Sequence, residues 1–340
     1  MRVLTKTAVA GTLLVLLLLL FAAAMFGLGV GPAGLPPGEV WSLLVGDDAA
    51  GATADIVLRV RWPRVMLASL VGACLAVSGV LFQALLRNPL ADPYVLGVSG
   101  GAALGGIAVL SFGSAIGLGA SAVPPAAFVG AILTTLLLYA IAGSRGRVSA
   151  TNLLLTGVVF NSFASAAIVF MASIAGLSDG ANIFLWLIGS LSASRADVAP
   201  WVAAFLVAGL ATALPMARNL NLLALGEEGA SQLGVEVERV KRWLLVSTSL
   251  MVGAAVSVAG LIGFVGLIIP HLLRLILGPD HRLLVPAAAL GGAVFLVVCD
   301  TLARSLLGGR ELPVGAITAI AGGPLFLWLL RRHHLRGIRA

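Results

Sequence analysis

Charge is what this sequence has least of. Asp, Glu, Lys and Arg make up 10% of its 340 residues, against about 25% in a soluble domain, and they stand in short stretches between long apolar runs. That excludes a soluble globule. Polar–apolar alternation is missing too. Runs such as Leu13–Leu28 and Val285–Val298 are uniformly apolar, where barrel strands would alternate over about ten residues. Backbone groups in hydrocarbon must be bonded within their own segment or barrel, so these runs are helices.

Cysteine is nearly absent. Cys74 and Cys299 both fall inside apolar runs, as small buried residues do, and a metal site would need more ligands than two thiols. No metal is expected. The histidines, His271, His281, His333 and His334, stand at helix ends or in the tail, with no His-x-x-x-His pair inside a span. No Asp or Glu stands at the middle of a span. Asp300 comes nearest, with Arg304 one turn on, a spacing that suits a local i,i+4 pair. These absences count against a membrane-embedded enzyme and against a secondary transporter working alone, since both place ionisable groups at membrane depth. A phosphate-binding loop is also missing, so the chain cannot itself use ATP. It carries no cofactor of its own, and a transporter without an energy source implies a partner.

What is present is hydrophobic helix. Sixty per cent of the residues are hydrophobic and the mean hydropathy is +1.09. The pattern predicts an all-α membrane protein forming one domain over 1–340, with about ten transmembrane helices near 8–28, 64–86, 94–111, 122–142, 151–175, 198–216, 240–260, 261–277, 283–306 and 314–331. The first run follows Arg2 and Lys6 and is longer than a signal-peptide core, so it is expected to stay as a spanning helix. Segment 94–111 is rich in Gly and Ser, which suits close packing or partial unwinding. Segment 261–277 holds Pro270, His271 and Arg274 and is expected to be short and broken. Ile183–Leu191 reads as a short helix that does not cross.

The net charge of +7 reflects the positive-inside bias and not a nucleic-acid partner. With the N-terminus inside, 15 of the 21 Lys and Arg residues fall on the cytoplasmic side, which places both termini there. Six remain outside: Arg59, Arg61, Arg64, Arg195, Arg304 and Arg310. The outer loop 29–61 carries a short amphipathic helix around Glu39–Leu44. The inner loop 217–239 is punctuated by Gly226, Gly229 and Gly234 into two short helical pieces, in which Leu222, Leu225, Ala230 and Leu233 can present an apolar face to a partner.

Six stretches, in order, carry a resemblance. They are Arg61-Trp62-Pro63-Arg64, Gln83 to Pro93 (with Arg87-Asn88-Pro89-Leu90-Ala91-Asp92-Pro93), Leu96 to Ala102, Gly263 to Arg274, Glu311 to Gly315, and Gly322 to Phe326. Together they resemble the FecCD-type permeases of binding-protein-dependent ABC importers, which take up ferric siderophores, haem or cobalamin, and the likeness covers nearly the whole chain. It implies a type II importer permease of ten helices in a bacterial inner membrane. Such a permease is homodimeric, is served by two ATPase subunits that bind ATP and Mg, and receives its load from an external binding protein.

The resemblance also assigns roles. Arg61, Arg64 and Arg304 map onto the arginines that dock the binding protein. Leu225, Gly226, Glu227, Glu228, Gly229, Ala230, Leu233 and Gly234 map onto the coupling helices that seat in the ATPase. Asn88, Pro89, Leu90, Ala150 and Thr151 map onto the cytoplasmic gate, although Ala150 stands where cobalamin-carrying members have a hydroxyl. From the residues themselves, Asn161, Ser162 and Ser165 form a polar stripe that suits either the translocation path or interhelical hydrogen bonds. The expected function is import of an iron chelate or corrinoid through a dimer surrounded by lipid.

Overall fold

The computed structural model describes residues 5–45, 51–144, 147–175, 183–184, 186–191, 196–307 and 311–337. Apolar runs become helices throughout: α1 (Lys6–Gly29), α2 (Pro37–Val45), α3 (Ala52–Asp55), α4 (Trp62–Leu86), α5 (Val98–Phe112), α6 (Val123–Ala142), α7 (Ala150–Ile174), α8 (Ala199–Leu223), α9 (Glu227–Gln232), α10 (Val237–Ala259), α11 (Val265–Leu277), α12 (His281–Ser305) and α13 (Val314–Gly337). Eight helical stretches are long and apolar enough to cross a bilayer, and Val265–Leu277 and Val314–Trp328 are shorter apolar helices. Together they account for the ten expected segments. The one sheet among the described residues is a two-residue antiparallel pair, Gly143–Ser144 with Arg147–Val148.

Three boundaries differ from the sequence reading. The second spanning helix does not open at Arg64, because helix runs without a break from Thr53 to Leu86. Its stretch Ile56–Arg61 is π-helical. A proline inside an α-helix lacks a donor and its ring meets the carbonyl four residues back; the wider π turn lies just ahead of Pro63 and relaxes that register. In the inner loop, residues 217–223 are the end of α8, so the loop holds one short helix, α9, and not two pieces. Finally, the Gly-rich segment begins as a 3-10 turn over Pro93–Leu96, and Gly97 at φ +88° turns the chain into α5.

Helix α4 is the axis of the packing. Every residue from Val71 to Leu86 is buried, and α12, α10, α8 and α11 surround it. Two glycines make this possible: a Cβ on Gly72 would strike the Gly292 carbonyl, and one on Gly79 the Gly266 carbonyl. Small residues let helix backbones touch where lipid gives helices no hydrophobic reason to associate.

Segment 261–277 is short, as expected, but its break lies ahead of Pro270: the chain leaves the helix at 260–264 between α10 and α11, and α11 runs through the proline uninterrupted. Open backbone within a membrane protein is tolerated only where protein satisfies it. Here Ser190 N–H donates to Ala259 O at 2.9 Å, and Ile262 N–H donates to the Tyr94 hydroxyl at 2.8 Å. Ile183–Leu191 does not cross: 183–184 and 186–188 are helical, and the turn stops at Gly189, φ +78°.

Candidate functional site

At one end of the bundle a guanidinium cluster joins α1, α4, α12 and the start of α13's approach. Arg64 Nε donates to both carboxylate oxygens of Asp300, at 3.0 and 3.1 Å, and Nη1 donates to both oxygens of Glu311, at 2.9 and 3.0 Å. Arg61 Nη1 donates to the carbonyls of Leu28 and Gly29, at 2.6 and 2.9 Å. Arg304 Nη2 donates to the carbonyl of Gly27. The last carbonyls of a helix have no partner within it and carry partial negative charge, so these two arginines complete the end of α1.

The structure therefore brings Arg61, Arg64 and Arg304 together, but at 3%, 4% and 4% exposure and already bonded to groups of this chain. The Arg304–Asp300 pair expected from spacing is present at 3.4 Å. The main partner of Asp300 is nevertheless Arg64, 236 residues away, which no spacing announces. Glu311, 44% exposed, is the cluster's outermost member and was missed as well. Three cations face two carboxylates, leaving a surplus of one positive charge.

The opposite end of α4 lies about 35 Å away at 1.5 Å per residue. There Arg87 caps α4 in the left-handed region, φ 51°, and its Nη2 lies 3.4 Å from Glu227 Oε1, at the start of α9. Lys241 of α10, a buried side chain, donates to Glu227 Oε2 at 2.6 Å and to Glu238 Oε1 at 3.2 Å. An open cleft of about 1290 Å³ runs along this face, lined by Arg87, Gly226, Glu227, Glu228, Gly229 and their neighbours. Of the expected apolar face, Leu225 and Leu233 stand 71% and 60% exposed. Ala230 is buried and Leu222 half-buried, so the exposed pair is narrower than the sequence suggested. Gly226 (φ +110°) and Gly234 (φ +84°) make the two bends that lift α9 off the bundle. A further tie, also missed, runs from Asn221 to the N-terminus of α12: its Nδ2 donates to Asp280 Oδ1 at 2.8 Å and its Oδ1 accepts from His281 N–H at 2.9 Å. Arg282 holds the Asp280 carboxyl well below the usual carboxylate range.

Of the residues expected at the gate, Asn88, Pro89, Leu90 and Thr151 are exposed and Ala150 is half-buried. Asn88 Oδ1 accepts from Leu90 N–H at 2.9 Å and Asn88 N–H donates to Gln83 O at 3.0 Å, so this asparagine shapes the turn that ends α4. Ala150 and Thr151 open α7 behind the cap of Ser149, whose Oγ accepts from Asn152 N–H. Among the described residues no hydrogen bond joins the two turns. Of the polar stripe, Asn161 Nδ2 donates to Tyr94 O at 2.9 Å, an interhelical bond, while Ser162 donates back to Val158 O. Ser162 and Ser165 lie on the open side of α7.

Tyr94 is thus bonded at its carbonyl to α7 and at its hydroxyl to the 260–264 break. Asp92 Oδ1 accepts from Tyr94 N–H at 2.9 Å and fixes that turn. Burial pushes the Asp92 carboxyl up to about 6, only partly offset by that N–H. A raised acid binds its proton more tightly in the fold, so stability falls as pH rises from about 4 to about 6 and stays level above. Asp92→Asn keeps an oxygen acceptor for Tyr94 and removes the ionised form. It is expected to stabilise the protein by on the order of 1 kcal/mol at pH 7.5, allowing for a residue only half-buried by area. The gain should shrink towards pH 4, read as melting temperature of detergent-purified protein.

Comparison with known proteins matches this arrangement to one group. A model described as the FecCD transport family matches residues 15–332. A cobalamin import system permease protein of Halobacterium salinarum is 44% identical over 84% of this chain and 76% of its own. A hemin transport system permease protein of Yersinia pestis is 41% identical over 93% of this chain and 94% of its own. A vitamin B12 import system permease protein of Klebsiella pneumoniae is 39% identical over 95% and 94%. Among solved structures, an inward-facing metal-chelate type ABC transporter superposes with a TM-score of 0.82 at 30% identity, over 95% of this chain and 99% of that one.

Proposed function

The chain belongs to the FecCD transport family, and on that premise we propose that it is the permease subunit of an ABC importer carrying a metal chelate of the cobalamin or haem kind. The observation that carries this is the pair of opposite ends on one buried helix. One end of α4 holds a net-positive guanidinium cluster, and the other faces a short helix flanked by two leucines, Leu225 and Leu233, that stand exposed. The working unit is a homodimer in the cytoplasmic membrane (the inner membrane of bacteria), with both termini inside. Two ATPase subunits seat on Leu225–Gly234, and an external binding protein meets the Arg64 end.

In this reading Arg61, Arg64 and Arg304 act on docking chiefly by holding the outer ends of α1, α4 and α12 in one face. The surplus positive charge of that face favours an acidic partner. Such long-range attraction orients and speeds docking more than it tightens it. The exposed apolar sides of α1, α7 and α13 meet lipid or the second copy. Turns 88–90 and 150–151 guard the inner mouth, and Ser162 and Ser165 face the path. The substrate passes as a chelate, with weak contacts throughout, since tight binding would slow its release.

The test is reconstitution. The permease, co-expressed with its ATPase and supplied with the binding protein, is placed in liposomes and offered cyanocobalamin or hemin. ATP-dependent uptake of one of them is expected, with no uptake when the ATPase is omitted. Uptake that persists without the ATPase, driven by an ion gradient, would instead establish a secondary transporter.

A further inference from the structure

We propose that the Arg87–Glu227 ion pair is the strut through which movement of α9 reaches the 88–91 turn. The inference rests on the reading of α9 as the ATPase seat and adds to it the route inward. Among the described residues, Glu227 supplies the only side-chain ion pairs or hydrogen bonds that α9 makes. Its carboxylate is divided: Oε2 is held by Lys241 at 2.6 Å and Oε1 faces Arg87 Nη2 at 3.4 Å. The Lys241 arm is a fixed bearing, since that side chain is 3% exposed and is also held by Glu238 of its own helix. The Arg87 arm is different. Both partners are partly in water, and Arg87 is the residue at which α4 ends.

The backbone at Arg87 makes it a sensitive place to pull. Its φ of 51° is a conformation that side-chain-bearing residues seldom adopt. Within one residue the chain must close the Asn88 N–H to Gln83 O bond and the Asn88–Leu90 turn. Arg87 Nη1 also overlies the 225–227 bend, 4.0 Å from where a Cβ on Gly226 would stand. The last turn of α4 is tied on its other side by Arg274, whose Nη1 donates to Gln83 Oε1 at 2.8 Å. A shift of α9 is therefore delivered at the junction of the bundle's central helix with the exposed turn Asn88-Pro89-Leu90. Leu225 and Leu233, which flank α9, give it a grip on a partner, but neither reaches that turn through a polar bond.

The experiment follows the two ends of the strut separately in the complete permease–ATPase complex. Ser231→Cys reports on α9 and Leu90→Cys on the turn, each carrying an environment-sensitive fluorophore; both sites are exposed, and the native Cys74 and Cys299 are buried. Trapping the ATPase with ATP and vanadate is expected to change both signals. In the Arg87→Gln background the Ser231 response should persist, while the Leu90 response falls at least fivefold. Arg87→Lys, which keeps the charge, should restore at least half of it. An undiminished Leu90 response in Arg87→Gln would overturn the strut. Loss of both responses there would also overturn it, by showing that Arg87 seats the ATPase directly. A silent Ser231 in the unsubstituted complex would instead overturn the assignment of α9 as the seat, and the strut with it.

Discussion

Asp300→Ala is expected to destabilise the protein by about 3–5 kcal/mol, the range for removing one partner of a buried ion pair and stranding the other. Asp300 is 1% exposed and touches two guanidiniums, those of Arg64 and Arg304. Without it, Arg64 keeps only Glu311, and Arg304 keeps only neutral oxygens. Asp300→Asn retains an acceptor and should fall between the two. Glu311→Gln should cost less than about 1 kcal/mol, because that side chain is partly in water, where pairs contribute little. Melting curves of the four detergent-purified proteins order them. If Asp300→Ala melts with the parent, the cluster does not hold these helices together.

The second large effect is on assembly. Leu225→Asp with Leu233→Asp should leave the melting temperature of the isolated permease unchanged, since both side chains are mostly in water already. Yet burying a leucine against a partner is favourable by roughly 1.5–3 kcal/mol, and every 1.4 kcal/mol is tenfold in affinity. The double variant is thus expected to lose at least a hundredfold in affinity for the ATPase, and with it ATP-driven uptake. Co-purification at low protein concentration measures this directly. Retention of the ATPase at parental stoichiometry would move its seat elsewhere.

The helices were legible in the sequence because a spanning run needs only length and apolarity, and because Gly and Pro mark where the runs break. The short 261–277 segment and the non-crossing piece at 183–191 were readable, although the break falls at 260–264 and not at Pro270. The early start of α4 was not. Pro63 looks like a helix opening, and nothing local tells that a π turn will carry the helix past it. The site was legible in its residue types but not in its pairings. Arg61, Arg64 and Arg304 drew notice as cations on the sparsely charged side, and the structure does gather them. Their partners, Asp300, Glu311 and the carbonyls of Gly27 to Gly29, are chosen by helix packing between segments far apart in sequence. Likewise Glu227 stood out, while Arg87 and Lys241, which hold it, read as ordinary flanking charges. Asn161 shows the limit most plainly: a hydroxyl-rich stripe on a helix is compatible with a path or a bond, and its amide in fact reaches Tyr94.

The caps on α1 set an order in time. That helix has 11% of its apolar window covered by the rest of the chain, and its main packing partner is α12, the helix that carries Arg304. A ribosome delivers it before either donor exists. Arg61 emerges 33 residues after Leu28, soon enough to bond the nascent helix at the membrane surface. Arg304 comes 277 residues after Gly27, when nearly the whole polypeptide has been made. Until then the Gly27 carbonyl must be served by water or lipid headgroups, and α1 is free to drift away from the growing bundle. A helix made long before its partner is thus among the latest to be locked in place, by an arginine carried on α12.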